Sequence, residues 1–416
     1  MIIDIVMGWR NIWRNPRRTI LTIMAIAFAC TLLVFMLSFQ FGSYETMINA
    51  SVKINTGHLQ VQAVGYHEKN DIHLVVSDPS AVARSLSGIP DISAYTFRAS
   101  GFALASSAQR TYGILVMGID PEREAQVSTL KKLIRRGRYL SDVHTDDETV
   151  PALVGKMLAQ NLRVRIGDEL TLLGQGRDGS IAAALVTVAG IYSSGIQEFD
   201  RSAIHIPLDH FQEIFSMRGA VHAVVILCDA LSDVESVERT IENRIHDKAF
   251  EFPLVVLDWD EMMPGLRQGI KLDLISGLIT YLLLIIVVAF SILNTFLMAI
   301  LERTREFGVL MAIGTSPGRL MRLLLIESAA ITVLGIVIGI LLGILVTWYF
   351  QIHGLYFSGA DEILSQFGIS GRIYPKLSLL SIVTGPAMVF VITIFSALYP
   401  ALKVRRLRVV EALAHA

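Results

Sequence analysis

Four stretches of this chain are too long and too apolar to lie on the surface of a water-soluble protein. Residues 19–44 hold no charged side chain over about 26 positions, roughly 39 Å as a helix. Similar stretches occupy 274–301, 323–350 and 377–402. Each exceeds the roughly 20 residues that cross a bilayer. The expected fold class is therefore an α-helical membrane protein with four transmembrane helices. Only 18% of residues are charged, against about a quarter in soluble domains. The first stretch also raises the possibility of a cleaved leader, since "AIAFAC" ends at Cys30. It runs well past the roughly 7–15 residues of a signal core, and Phe28 is bulky where a small residue is needed, so it is read as a span.

Basic residues cluster at the span ends and set the orientation. Arg10, Arg14, Arg17 and Arg18 precede the first span; Arg303, Arg305, Arg319 and Arg322 lie between the second and third; Lys403, Arg405, Arg406 and Arg408 follow the fourth. The expectation is a multi-pass membrane protein with both termini cytoplasmic. Residues 1–18 then form a cytoplasmic interfacial helix carrying Ile5, Trp9, Ile12 and Trp13 on one side, and 403–416 form a cytoplasmic tail. Residues 45–273 and the loop 351–376 lie outside. The formal net charge is −1, which supplies no global field for nucleic acid. Cys30 and Cys228 are expected to be buried and unpaired.

The segment 45–273 reads as an α/β domain between helices one and two. "GHLQVQAVG" alternates like a strand, and "RTYGILVMGID" and "ALVTVAGIY" are further strand candidates. "DPSAVARSLSGIPDI" reads as a helix capped by Asp78, with Pro79 in its first turn and a stop at Gly88 to Pro90. "DALSDVESVERTIENRIHD" is an amphipathic helix. "PALVGKMLAQNLRVRIGDELTLL" reads as a helix, a glycine turn and a strand, and residues 120–185 are a possible inserted subdomain. "MPG" should interrupt the chain before the second span. Gly335, Gly339 and Gly343 in the third span repeat at four-residue spacing, the pattern that lets helix backbones approach closely. Either a dimer seam or packing within the chain fits them. The fourth span contains Pro386 and ends near Pro400, which predicts a kink.

The cytoplasmic loop 302–322 is the most informative segment. Glu302, Arg303, Arg305 and Glu306 form a charged collar where span two ends. Phe307, Leu310, Met311 and Ile313, with Gly314, follow helical spacing and give one apolar face, too short to cross a membrane. Ser316 and Pro317 are then suited to begin a new helix. A short amphipathic helix of this kind suits docking into a groove. Glu327, just inside the next span, is read as a paired carboxylate in preference to a proton site.

"ERTREFGVLMAIGTSPGRLMRLLLIES" resembles the signature segment of FtsX/MacB-type ABC transporter permeases. "WRNIWRNPRRTILTIMAIAF" and "YPALKVRRLRVVEAL" resemble the start of the family's first span and its C-terminal end, although Val409 and Val410 stand where a proline is common. "VMGIDPEREAQVSTLKKLIRRGRYL", "PALVGKMLAQNLRVRIGDELTLL" and "VAGIYSSGIQEFDRSAIHIPL" resemble the MacB-like periplasmic core domain of the lipoprotein-release permeases, the LolC/LolE family. The resemblance implies that Glu302, Arg303, Arg305, Glu306, Phe307, Leu310, Ile313 and Gly314 belong to a coupling helix held by a separate ABC ATPase subunit. It also implies a second permease subunit, identical or paralogous, and membrane lipids around the pair. ATP and magnesium would sit on the ATPase, leaving this chain without a cofactor. Mechanotransmission to the periplasmic domain would then drive lipoprotein release from the inner membrane for outer-membrane sorting. The stretch "LLGQGRDGSIAAALVTV" lacks a proline-rich extension, so direct docking of a periplasmic carrier stays open.

The sequence carries no GxxxxGK[ST] or HExxH, so the chain is expected to be a permease subunit and not itself an enzyme. His205 and His210 near a strand end, the acids of "DWDE", and Arg135 and Arg136 all have plain structural readings, the arginines as a solvated face. No catalytic or metal residue is expected. Two other functions share this architecture: efflux of an amphiphile or peptide, as in MacB, and non-transporting activation of a periplasmic hydrolase.

Overall fold

The computed structural model describes residues 7, 10–142, 149–246, 250–356 and 372–405. The interfacial helix expected over 1–18 therefore lies partly outside the described residues, as do 357–371 of the expected loop and 406–416 of the tail. Two compact units emerge, one holding the long helices and one built mainly from residues 45–268.

Among the described residues, four helices are long and apolar enough to cross a membrane. The first runs Pro16–Ser51, the second Pro264–Glu302, the third Pro317–His353 and the fourth Leu379–Arg405. Proline opens the first three, where its missing N–H costs nothing and its fixed φ suits the first turn. Ser316 occupies the N-cap of the third helix, but its side chain makes no capping bond. The fourth helix continues through Pro386 and Pro400 to Arg405. Proline removes one hydrogen bond and crowds the preceding turn, which bends a helix without ending it when packing holds both sides. Here Ala397 and Ala401 are buried on either side of Pro400.

The three glycines of the third helix pack within the chain. A Cβ on Gly335 would stand 2.7 Å from Ile26 Cβ, one on Gly339 2.5 Å from Cys30 Cβ, and one on Gly343 2.9 Å from Val34 Cβ. All three therefore face the first helix, which meets them with residues four apart. Thr31 donates its hydroxyl to the Gly339 carbonyl at 3.1 Å across the seam. On its other flank the first helix meets the fourth through Leu33, which would lie 2.9 Å from a Cβ on Gly385, and through a buried Ser38–Ser381 hydrogen bond of 2.9 Å. Close backbones and buried hydroxyl bonds are how helices associate where lipid removes the hydrophobic drive.

The second unit is built on ten strands: β1 Leu59–Ala63, β2 Ile92–Ser106, β3 Thr111–Ile119, β4 Ile134–Gly137, β5 Val150–Gly155, β6 Glu169–Gln175, β7 Ile181–Tyr192, β8 Ala203–Pro207, β9 Ala223–Cys228 and β10 Leu254–Asp258. Pairing runs β2–β3–β8–β5–β7–β6 and back to β2, which closes a six-stranded ring. Its core includes Ala99, Val116, Val154, Leu170, Val186 and Ile204. β9, β1 and β10 extend the sheet from the first half of β2. The helices Pro79–Leu86 and Val234–His246 cover this extension through Val82, Leu86, Val237 and Ile241. Asp78 caps the former by accepting from Ala81 N at 2.8 Å.

Two expectations are corrected here. Residues 120–185 are not a separable subdomain, because their strands close the ring only with β2, β3 and β8 from outside that range. The boundary at 185 also falls inside β7. "PALVG" is strand β5, not helix. It pairs on both edges and is buried throughout after its first residue, so its apolar run carries no period to separate the two.

Candidate functional site

The collar and the short helix fold as a compact corner. Arg303 is the N-cap of a helix running Thr304–Ala312. Phe307 and Met311, four apart, turn inward and pack with Ile300, Leu320 and Leu324. The expected single apolar face is therefore divided. Phe307 is 1% exposed, whereas Ile313 is 78% exposed, and Val309 and Leu310 also face outward. The inward pair anchors the helix to its two long neighbours; the outward three leave apolar area without a partner among the described residues.

Gly314 ends this helix in a left-handed conformation, φ 102°. Its N–H donates to Met311 O at 3.0 Å, and Thr315 N–H donates to Leu310 O at 2.9 Å, the paired bonds of a Schellman turn. No heavy atom lies within 4 Å of where a Gly314 Cβ would stand. Backbone conformation, not space, selects glycine there.

Charge holds the corner in place. Arg303 is buried at 8% exposure. Its Nη1 lies 3.3 Å from Glu327 Oε2 and its Nε 3.4 Å from Glu306 Oε2. Its guanidinium also sits 5.4 Å from the Phe307 ring centre. Glu327 is thus a partner of Arg303. Glu306 receives Arg14 Nη2 on both oxygens, at 2.6 and 2.5 Å, and Glu302 receives Arg18 Nη1 at 2.6 Å. Hydrogen bonding from Arg14, against a smaller push from burial, holds the Glu306 carboxyl below its usual range. Arg305 is exposed and, alone in the collar, makes no ion pair among the described residues. Arg14 and Arg18 were legible only as basic residues before a span. Nothing local ties them to Glu306 and Glu302, which lie 292 and 284 positions away.

A second polar constellation lies where the first and second helices meet near their other ends. Tyr44 donates to Asp273 Oδ2 at 2.6 Å, and Tyr281 donates to Gln40 Oε1 at 2.8 Å. Gln40 Nε2 donates to Tyr44 Oη at 2.7 Å, linking the four side chains.

Within the sheet unit, the first helix passes into a π-helical turn, Val52–Thr56. Thr129 N–H donates to Lys53 O at 2.8 Å, and Arg98 Nη1 donates to Asn55 Oδ1 at 3.3 Å. Arg98 in turn forks onto Glu124 at 2.6 and 3.0 Å, both side chains buried. Burial pushes the Glu124 carboxyl up, but the charge and hydrogen bonds of Arg98 outweigh it and hold it down. β1, which follows the turn, pairs antiparallel with β10, from which the chain returns toward the second long helix. The chain thus enters and leaves this unit through neighbouring strands.

His205 is a buried core residue edge-on to Tyr192. Among the described residues no group of three or more His, Cys, Asp or Glu side chains is placed to hold a metal.

The FtsX-like permease C-terminal family matches residues 278–409, and the MacB-like periplasmic core domain matches residues 19–244. The chain is 24% identical over 404 residues to the lipoprotein-releasing system transmembrane protein LolC of Xylella fastidiosa strain 9a5c, covering 94% of this chain and 92% of that one. It is 23% identical to the uncharacterized ABC transporter permease YknZ of Bacillus subtilis strain 168, covering 99% and 98%. It is 22% identical to the macrolide export ATP-binding/permease protein MacB of Bdellovibrio bacteriovorus, covering 99% of this chain but 62% of that one. Among solved structures, the periplasmic region of MacB from Actinobacillus actinomycetemcomitans aligns with 53% of this chain and 94% of its own, at 16% identity and a TM-score of 0.36.

Proposed function

This chain belongs to the FtsX-like, MacB-like family of ABC transporter permeases, and on that premise we propose that it converts ATP hydrolysis on a separate ATPase subunit into movement of its inserted domain. The observation that carries this reading is the divided helix Thr304–Ala312. Phe307 and Met311 anchor it, and Val309, Leu310 and Ile313 stand outward for a groove on the ATPase. The Arg14–Glu306 and Arg18–Glu302 pairs pass a push on this helix to the first long helix. In this reading the collar faces the cytoplasm, the ATPase holds ATP and magnesium, and two permease subunits act together.

The cargo we propose is an acylated lipoprotein, taken from the inner membrane for sorting to the outer one. A nearly full-length likeness to a LolC protein supports it. So does a cleft of about 510 Å³ on the sheet unit lined by Phe102, Leu104, Leu115 and Leu173, an apolar surface suited to an acyl chain. Efflux of another amphiphile is the second reading, favoured by likeness to MacB and to pyoverdine export proteins. Those relatives are named as ATP-binding and permease in one chain, and this chain spans 62% and 59% of them.

The test of coupling is Leu310→Asp with Ile313→Asp in the reconstituted complex. We expect loss of ATPase co-purification while the protein stays membrane-inserted; unchanged capture and unchanged ATPase stimulation would sink the docking role. The test of cargo is depletion in the native cell followed by separation of the membranes. Acylated lipoproteins should accumulate in the inner membrane before general envelope collapse. Normal sorting would exclude lipoprotein release and leave efflux.

A further inference from the structure

A cleft of about 1120 Å³ in the sheet unit is lined by five cations: Arg135, Arg136, Lys156, Arg163 and Arg165. Among the described residues, no carboxylate lines it. Arg135 and Arg136 come from β4, Lys156 opens the helix Lys156–Leu162, Arg163 closes that helix, and Arg165 follows. Among the described residues, none of these five side chains forms an ion pair or hydrogen bond. The nearest acid in sequence, Asp168, accepts only the backbone N–H of Arg165, at 2.7 Å. Five like charges gathered in a concavity repel one another, so folding alone does not explain them.

Two placements go against local stability. Lys156 stands at the first position of its helix, where the backbone dipole disfavours a cation. Arg163 holds a left-handed backbone, φ 58°, at a helix end where glycine is the ordinary choice. A long cationic side chain kept at such a position points to a role outside the backbone. Four of the five cations are arginines, whose planar forks match the paired oxygens of phosphate groups. Beside them Ile166 is 46% exposed, an apolar edge at the rim of a charged cleft.

We propose that this cleft binds a phosphate-bearing anion, either the headgroup of an acidic lipid or a free phosphorylated solute. The concavity suits a headgroup-sized ligand better than the flat face that a folded acidic protein would need. Arg163 and Arg165 grip from the helix side, Arg135 and Arg136 from the strand side.

The test uses the full chain in phosphatidylcholine nanodiscs at low salt. One arm titrates inorganic pyrophosphate by calorimetry; the other measures capture by vesicles of phosphatidylglycerol and phosphatidylcholine. Arg135→Gln with Arg136→Gln should weaken either interaction about tenfold or more. Arg163→Gly is the second variant. Glycine fits φ 58°, so binding should fall while thermal stability holds or rises. Pyrophosphate binding without vesicle capture identifies a free solute; capture with both identifies a headgroup. Failure of both probes, or binding that all three arginine substitutions leave unchanged, overturns the proposal. Capture of poly-glutamate alone overturns it in favour of an acidic polypeptide.

Discussion

One guanidinium nitrogen of Arg14 donates to both carboxylate oxygens of Glu306, at 2.6 and 2.5 Å, although 292 positions separate them. Both side chains are about half exposed, so the pair contributes at most about 1 kcal/mol to stability. Its consequence is positional: it holds the start of the first long helix against the short helix. Arg14→Glu should therefore leave the melting temperature nearly unchanged and still lower ATP-driven movement of the complex. The exchange Arg14→Glu with Glu306→Arg should restore part of it, because Arg303 also contacts Glu306 and would then face a like charge. ATPase stimulation in reconstituted membranes reads this directly, and a double variant no better than the single ones would count against the clamp.

The glycine seam predicts a different kind of damage. A side chain at Gly339 meets Cys30 Cβ at 2.5 Å and the Ala27 carbonyl at 2.6 Å. Neither is a flexible chain end, so Gly339→Leu must push two helices apart. Overpacking of this kind costs about 1–3 kcal/mol or more. The expected result is poor extraction and a lowered thermal midpoint in detergent. Leu341→Ala, on an exposed position of the same helix, should be silent by the same assay.

The buried Arg98–Glu124 pair makes opposite predictions for single and paired substitution. Arg98→Ala strands a buried carboxylate and should cost about 3–5 kcal/mol. Arg98→Met with Glu124→Leu removes both charges and should recover most of that loss. Asn55 would lose its partner in either case. A double variant as unstable as the single one would show that the link to the π-helical turn, and not the ion pair, holds this corner.

Three buried histidines set the acid limit of the sheet unit. Cys228 N–H donates to His58 Nδ1 at 3.0 Å, and Ser100 N–H donates to His222 Nδ1 at 2.9 Å. A ring nitrogen that accepts carries no proton, so both rings are neutral and donate from Nε2, to Asn49 Oδ1 and to the Ile72 carbonyl. Burial holds His58, His205 and His222 at about 4, against about 6.5 in an unfolded chain. Between those values the unfolded state binds more protons. Stability is therefore full above pH ~6.5 and is lost as pH falls toward 4, by up to about 1.4 kcal/mol per pH unit for each histidine. Thermal unfolding at pH 7.5, 5.5 and 4.5 should show this fall, and His222→Gln should make it shallower while His58 and His205 keep the rest. A midpoint that ignores pH in this range would mean that the rings take up protons without strain.

The sequence by itself determined the features that depend on length and local period. Stretches without charge, such as 19–44 and 274–301, are longer than a bilayer is thick, and no aqueous fold hides them. Asp78 before Pro79 marks a helix start, and Gly314 marks a helix end, because capping and left-handed backbone are properties of a few neighbouring residues. The four-residue glycine spacing announced a close helix contact without naming its partner. Only the tertiary structure decided that the partner is Ile26, Cys30 and Val34 of the same chain. It alone turned Phe307 and Met311 inward and Leu310 and Ile313 outward, brought Arg14 to Glu306, and gathered Arg135 and Arg163 around one cleft. Local pattern records where elements start and stop and which period their apolar residues follow. Which distant residues meet depends on how whole elements pack, and that information is spread over positions hundreds of residues apart.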